Sequence, residues 1–417
     1  MTSPTSTATG RAPELDLLLA CTRWPQLEPD RDRIRALFLP PPGAPDLDLD
    51  LLLRLIQHHR LTPLVAQNLR TAAAGLPLPP ARQALLDHLG QLAAANAYRA
   101  LRSLAEMRRI LQELLAAGVP VRVLKGIPLA QMVFGDLGLR STGDLDLLIP
   151  ESAILQGDRI LRAAGYRGLF QVQRFSPRRL AFYRNHWKDI AYENPVTGHQ
   201  VDLHWRCFRN SRMSGGELCA ASSQETGDFG AFHVPTLPRS QTLLYLCVHG
   251  TLDGWLYLKS LADIAALVRL MPEAELDALA ELALHHGILP ELSAALLLTR
   301  RYLAIEHWSA RLLDERHPTV RHILRFARHS LEHGNFLSGR AAISAGSMML
   351  FELGLRRDLP YRRELLLRVL FRARMWETIP LPDLLFGIYP LLSPIEWIVF
   401  RIRQWLGKTA PHAGLSV

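Results

Sequence analysis

Asp144 and Asp146 alternate with leucines along Gly143-Asp144-Leu145-Asp146-Leu147-Leu148-Ile149, a run closed by Pro150. On a strand, residues two apart share a face. The two carboxylates therefore project together, while Leu145 and Leu147 turn into a core behind them. Side by side, such carboxylates repel unless a cation lies between them. A hard divalent ion with oxygen ligands, most simply Mg²⁺ or alternatively Mn²⁺, resolves that repulsion. A third carboxylate, Asp202, sits in Val201-Asp202-Leu203-His204-Trp205, again a strand pattern with Leu203 facing away. If this strand lies beside the first, three acids can hold two ions roughly 3.5–4 Å apart, which activates an attacking oxygen and steadies the leaving one.

Other residues around this set carry the chemistry of phosphate. Leu124-Lys125-Gly126-Ile127-Pro128 runs from a strand into a helix. Gly126 would let backbone N–H groups approach a phosphate at the helix N-terminus. Lys125 and Arg140 are candidates to neutralise a triphosphate, against the plainer reading of solvated charges. Ser141 and Thr142 add hydroxyls just before the acidic strand. His204 shares the face of Asp202 and either orients a ligand or is a hydrogen-bonded structural histidine; Trp205 reads as core. Farther on, His249 to Asp263 reads as helix, with Trp255, Lys259 and Asp263 spaced four apart on one face. An intrahelical ion pair under an aromatic is the alternative there.

The elements that must position these groups follow from periodicity. Leu15–Cys21, Leu51–His58, Thr62–Arg70, Ala81–His88 and Ala93–Ala117 read as helices, with Thr62 as N-cap and Pro63 in the first turn. Pro-rich breaks fall at 40–45 and 77–80. Val121–Leu124 is a short β-branched run before a helix over Pro128–Phe134. Ser152–Ala164 is a helix ended by Gly165. Lys188–Tyr192 and His199–Trp205 form a hairpin about Asn194–Gly198. From Gln241 the pattern is helical to about Arg403. The predicted division is a tail over 1–12, helices over 13–118, an α/β core over 119–240, helices over 241–405 and a second tail over 406–417. The expected fold class is α+β, a small mixed sheet flanked by N-terminal and C-terminal helical regions.

Composition narrows the setting. The 417 residues suffice for a large core. The formal charge of +9 comes largely from arginine, since Lys125, Lys188, Lys259 and Lys408 are the only lysines. Such a balance attracts polyanions, but no consecutive basic block resembles a nucleic-acid arm; Arg356, Arg357, Arg362 and Arg363 are the densest cluster. Cys21, Cys207, Cys219 and Cys247 show no paired spacing, so a reducing cytoplasm without a disulfide framework or zinc site is expected. The apolar stretch 384–400 reads as a buried helix pair, with contact at a membrane surface as the lesser reading.

The segments LKGIPLAQMVFGDLGLRSTGDLDLLIP, VDLHW and HGTLDGWLYLKSLADIAALV together resemble the uncharacterised nucleotidyltransferase family of the polymerase-β-like superfamily. That superfamily carries a glycine at a strand–helix turn, an Asp-x-Asp strand and a third Asp on a later strand. The resemblance spans about 13–335 in layout and about 120–265 in motifs. It implies Gly126 at the turn, Asp144, Asp146 and Asp202 as catalytic metal ligands, and Lys259 near phosphate or base. Many relatives have Gly-Ser at the turn; here Ile127 follows Gly126, and the interval from Gly126 to Asp144 is longer than in minimal members. The implied activity is transfer of a nucleotidyl group from an NTP, with ATP as the expected donor, to an unidentified acceptor with release of pyrophosphate. The alternatives are an inactive nucleotide- or partner-binding relative and an Arg-rich helical scaffold for RNA or a membrane surface.

Overall fold

A computed structural model describes residues 12–394 apart from 214–217, 219–224, 231, 306–307, 309–311 and 333–342. The predicted tails therefore fall outside it, save Ala12, as do residues 395–400 of the apolar C-terminal stretch. The chain opens with helices α1 (Pro13–Cys21), α2 (Glu28–Phe38), α3 (Leu49–His58), α4 (Thr62–Ala73) and α5 (Pro80–Ala116). Strand β1 (Arg122–Val123), helix α6 (Ile127–Phe134), β2 (Asp144–Leu148), α7 (Ile154–Ala163), β3 (Arg167–Gly168), α8 (Pro177–His186), β4 (Asp189–Glu193) and β5 (Gln200–His204) follow. Strands β6 (Glu225–Asp228) and β7 (His233–Thr236) complete a seven-stranded mixed sheet in the order β3-β4-β5-β2-β1-β7-β6. The rest is helical: α9 (Arg239–Leu252), α10 (Leu258–Leu270), α11 (Glu273–His285), α12 (Leu289–Leu303), α13 (Pro318–Glu332), α14 (Ala345–Leu355), α15 (Leu359–Leu370) and α16 (Ala373–Thr378). The fold is the expected mixed sheet flanked by helices.

Period-two alternation explains the centre of the sheet. Strands β2 and β5 run parallel with Asp146 opposite Asp202, Leu145 opposite Val201 and Leu147 opposite Leu203. The leucines and valine are fully buried with Ile190 and Tyr192 of β4. Met107, Ile110, Leu111 and Leu114 of α5 and Leu161 of α7 belong to the same core. Helix α7 approaches closely at Gly157, where a Cβ would stand 2.9 Å from a Leu203 methyl. Full burial of a leucine side chain is worth roughly 1.5–3 kcal/mol, so a one-residue slip that exposed this row would be costly. The acidic face is thus held outward by the core on the other side.

Several local expectations are corrected. The N-cap of α4 is Leu61, with Thr62 and Pro63 already in the first turn. The two helices expected over Ala81–Ala117 are one 37-residue helix, because Gly90 alone costs about 1 kcal/mol relative to alanine and does not break it. The helix expected across His249–Asp263 is broken after Leu252: Gly254 and Trp255 take left-handed backbone, and Trp255 wedges under α9. Helix α2 and strands β3, β6 and β7 lacked a readable pattern, β6 (ETGD) having no apolar alternation at all. Cys207 is disulfide-bonded, contrary to the expectation of unpaired cysteines, since spacing along a chain does not report distance in space. Cys21 and Cys247 are free thiols, and burial pushes both thiol pKa values well up.

The C-terminal segment does not stay with the helices that precede it. Phe371, Trp376 and Phe386 return to the sheet side and pack on Phe182 of α8, with ring centroids 4.7–6.0 Å apart. Residues 383–388 form a 3-10 turn in which Phe386 is buried and Leu384 is 90 % exposed. No helix among the described residues is long and apolar enough to cross a membrane.

Candidate active site

The site lies on the polar face of β2 and β5 at the end of β1. Leu124 extends the β1–β2 pairing, its N–H donating to the Asp146 carbonyl at 3.0 Å. This places Lys125 beside the acidic strand. The Lys125 Nζ lies 3.0 Å from Asp146 Oδ2 and 3.6 Å from Asp144 Oδ2. Gly126 follows with φ 76°, ψ −121° and caps α6, a conformation open to glycine and strained for other residues. A Cβ there would also meet the Asp144 carbonyl at 3.5 Å. The turn expected from the sequence is therefore present, and it aims Lys125 at the carboxylates.

Asp202 shares the face of Asp146 directly across the parallel ladder. His204, fully buried, places Nε2 3.2 Å from Asp146 Oδ1. Asp146, Asp202 and His204 each offer a ligand atom within 4.8 Å of the other two, a group that could hold a metal ion. The donor chemistry fits a divalent cation. Asp146 Oδ2 is buried, its partner being the Lys125 ammonium at 3.0 Å. Asp144, about two-fifths exposed, stands at the outer edge of the same face.

The electrostatics separate the two facing aspartates. Burial alone would raise the Asp146 pKa, but the Lys125 ammonium and the His204 ring outweigh it and hold the carboxyl well below its usual range. Lys125 is likewise driven by burial toward neutrality, yet Asp146 and Asp144 hold it firmly protonated. Asp202 has no such cation. Burial, reinforced by the carboxylates of Asp189, Asp146 and Asp144 and only partly offset by His204, pushes its pKa up to about 6.

Other sequence-derived candidates fall into place around this centre. Arg140 forms a buried two-pronged pair with Asp263, Nε to Oδ1 and Nη2 to Oδ2 both at 2.9 Å. The Asn96 side chain of α5 donates to the carbonyls of Gly138 and Arg140. The loop entering β2 is thus clamped between α5 and α10. Ser141 borders a small cavity with Arg140, Lys259 and Asp263; Thr142 is half-buried in the loop. Lys259 lies at the start of α10, where burial and the positive charges of Arg140 and Lys125 outweigh Asp263 and Asp144 and push its pKa down to about 7. Trp255 is 1 % exposed and set into the α9–α10 turn, where Gly250 leaves room for its ring. It therefore does not share a helix face with Lys259 and Asp263.

Three partners have no assignment from sequence. Asp189 opens β4 opposite His204, its Oδ2 3.8 Å from His204 Nδ1 and 2.7 Å from Lys188 Nζ. Burial opposes its ionisation, but Lys188 and His204 outweigh it and bring its pKa to about 2. Tyr245 of α9 stacks on Phe208 and meets the His249 ring edge-on at 5.6 Å. His249 Nδ1 in turn lies 3.1 Å from Asp253 Oδ2. The Lys188-Asp189 dipeptide at the start of a paired strand was the available signal for the first, and the four-residue spacing of His249 and Asp253 for the last; nothing local marks Tyr245.

The chain matches no curated protein and no solved structure. It does match a protein family across residues 45–304, a span that holds every residue of the site just described. The chain therefore belongs to the family described as uncharacterised nucleotidyltransferase.

Proposed function

We propose that the protein transfers an NMP group from an NTP, with ATP the expected donor, to a hydroxyl or comparable nucleophile of an acceptor, releasing pyrophosphate. One observation carries this reading: Asp146 and Asp202 face one another across β2 and β5 with His204 beside them, their ligand atoms within 4.8 Å. Asp144, Asp146 and Asp202 would hold Mg²⁺ or Mn²⁺, with His204 adding a nitrogen donor that favours Mn²⁺ over Mg²⁺. Lys188, whose ammonium lies 3.5 Å from His204 Nδ1 and is paired with Asp189, would orient the ring from that side. Such an ion, when bound, supplies charge neutralisation for the attacking and leaving oxygens.

The protein's own groups do the positioning. Lys125 and Lys259 would attract the phosphates, and the free N–H groups of the first turn of α6, after Gly126, would add their positive end. Ser141 and Thr142 line the approach. Arg140 and Asp263 keep that loop in place, so Arg140 acts on the nucleotide through its loop. Asp202 would accept the acceptor's proton as the new P–O bond forms and the bond to pyrophosphate breaks. Catalysis then rests on orientation and fixed charge.

The test is incubation with each α-labelled NTP, Mg²⁺ or Mn²⁺ and host extract. Label should pass to an acceptor with the natural chain and be lost in Asp146→Asn and Asp202→Asn that still fold. Transfer that survives both changes sinks the reading.

A further inference from the structure

A cleft of about 580 Å³ lies away from the acidic site, between α13 and the junction of α14 and α15. It also lies beyond residues 45–304, the part shared with the family. Its lining includes Arg321, Arg325, Arg356, Arg357, His317 and His322, and no acidic side chain. One of the four guanidiniums is committed to the fold: Arg356 pairs with buried Glu291 at 2.6 Å and donates to the Gly287 carbonyl. Arg321, Arg325 and Arg357 are exposed. None of the three side chains bonds a described residue, so their charge is unneutralised.

Three further features shape the cleft. The positive end of the 15-residue helix α13 opens into it. His317 Nδ1 accepts the Thr319 N–H, which puts that ring's own hydrogen, when neutral, on Nε2 as a donor. His322 donates Nε2–H to the Phe351 carbonyl and lies flat on the Phe351 ring. Its Nδ1 is left as an acceptor. Gly354 makes this possible, for a Cβ there would stand 2.4 Å from the His322 ring.

We infer that this cleft binds the phosphodiester backbone of single-stranded RNA. Arg321 and Arg325 stand one helical turn apart, about 6 Å along the axis, close to the step between successive phosphates of an extended strand. A cleft of this size suits a nucleotide unit better than a lone phosphate. An imidazole acceptor beside the arginines can take a 2′-hydroxyl, the group by which RNA is told from DNA. The inference stands apart from the transfer reading, since none of these residues belongs to the acidic site.

The test is fluorescence anisotropy of a labelled 20-nucleotide mixed-sequence RNA with the full chain, between 50 and 200 mM KCl. The triple variant Arg321→Ala/Arg325→Ala/Arg357→Ala should bind at least about tenfold more weakly. Its log–log salt slope should fall by about 2, since each lost phosphate contact on a single strand contributes about 0.7. Arg33→Ala/Arg54→Ala/Arg99→Ala, an equal loss of exposed charge on the N-terminal helices, should bind as the natural chain does. Should the triple variant fold poorly, Arg325→Glu alone should weaken RNA binding in the same way. The DNA of the same sequence should bind more weakly than the RNA. Absence of RNA binding at 50 mM KCl, equal weakening by the control variant, or equal affinity for DNA overturns the assignment. So does phosphatidylserine-vesicle binding that is lost in the triple variant when RNA is not bound.

Discussion

Lys125 Nζ sits between Asp146 Oδ2 at 3.0 Å and Asp144 Oδ2 at 3.6 Å, a built-in counter-ion for the two alternating carboxylates of β2. Both the ammonium and the Asp146 carboxylate are largely shielded from water. The pairing has a direct consequence for stability. Removing one partner of a buried pair leaves the other charge uncompensated, which costs about 3–5 kcal/mol. Lys125→Met should therefore unfold at markedly lower urea in EDTA. Millimolar Mn²⁺ should recover much of the loss by binding the folded state alone. Urea titrations with and without metal measure both effects.

Asp202 should behave in the opposite way. Its folded pKa of about 6 lies above the ordinary carboxylate value, so the folded state holds the proton more tightly than the unfolded chain. Stability is therefore lost as pH rises through about 6, where the buried carboxyl must ionise. Asp202→Asn cannot ionise and should be more stable than the natural chain by roughly 1–3 kcal/mol at pH 8, with little difference at pH 4. The same variant should lose the stabilisation by Mn²⁺. Urea unfolding at the two pH values in EDTA, then with metal at pH 8, decides the matter.

If Lys259 meets the phosphates as proposed, nucleotide binding should be sensitive to pH near neutrality. With its pKa pushed down to about 7, it is charged below that value and neutral above it. Affinity for ATP with metal should fall as pH rises from 6.5 to 8.5. In Lys259→Arg, which stays charged throughout, that fall should shrink to whatever the nucleotide's own ionisation contributes. Calorimetric titrations at three pH values compare the slopes, and identical slopes would remove Lys259 from the phosphate site.

The Arg140–Asp263 pair joins the loop before β2 to α10, 123 residues away. Its guanidinium and carboxylate are 5 % and 2 % exposed. Asp263→Ala should destabilise the fold by about 3–5 kcal/mol, because it strands a buried guanidinium. Replacing both residues with apolar side chains should cost far less. Thermal unfolding of the single and double variants separates these outcomes.

How much of the site is legible in the sequence tracks how local each signal is. The Asp144–Asp146 alternation and its leucine backing are a period-two pattern within six residues, and β2 follows it. Gly126 is legible as a turn because a strand-like run stops there and a helical one begins. The break between α9 and α10 is hidden, although Gly254 marks it, since Trp255, Lys259 and Asp263 mimic helical spacing across the gap. Arg140 is legible only as a charge: the identity of its partner depends on how α10 packs, which no spacing near residue 140 reports. The same holds for Asp189 and His204, neighbours only through the register of β4 on β5. The basic cleft draws on the first half of α13, the end of α14 and the loop that follows it, and only the Arg356-Arg357 step is visible as a cluster.

The aromatic return of residues 371–389 sets an order on biosynthesis. Phe182 and Tyr183 of α8 and Trp187 just after it rest against Trp376, so nearly two hundred residues must emerge from the ribosome before these rings find their cover. During that interval the nascent α/β unit presents an uncovered aromatic surface, the kind that chaperones recognise and that promotes aggregation. Maturation of the α/β unit thus waits on the synthesis of residues 371–389.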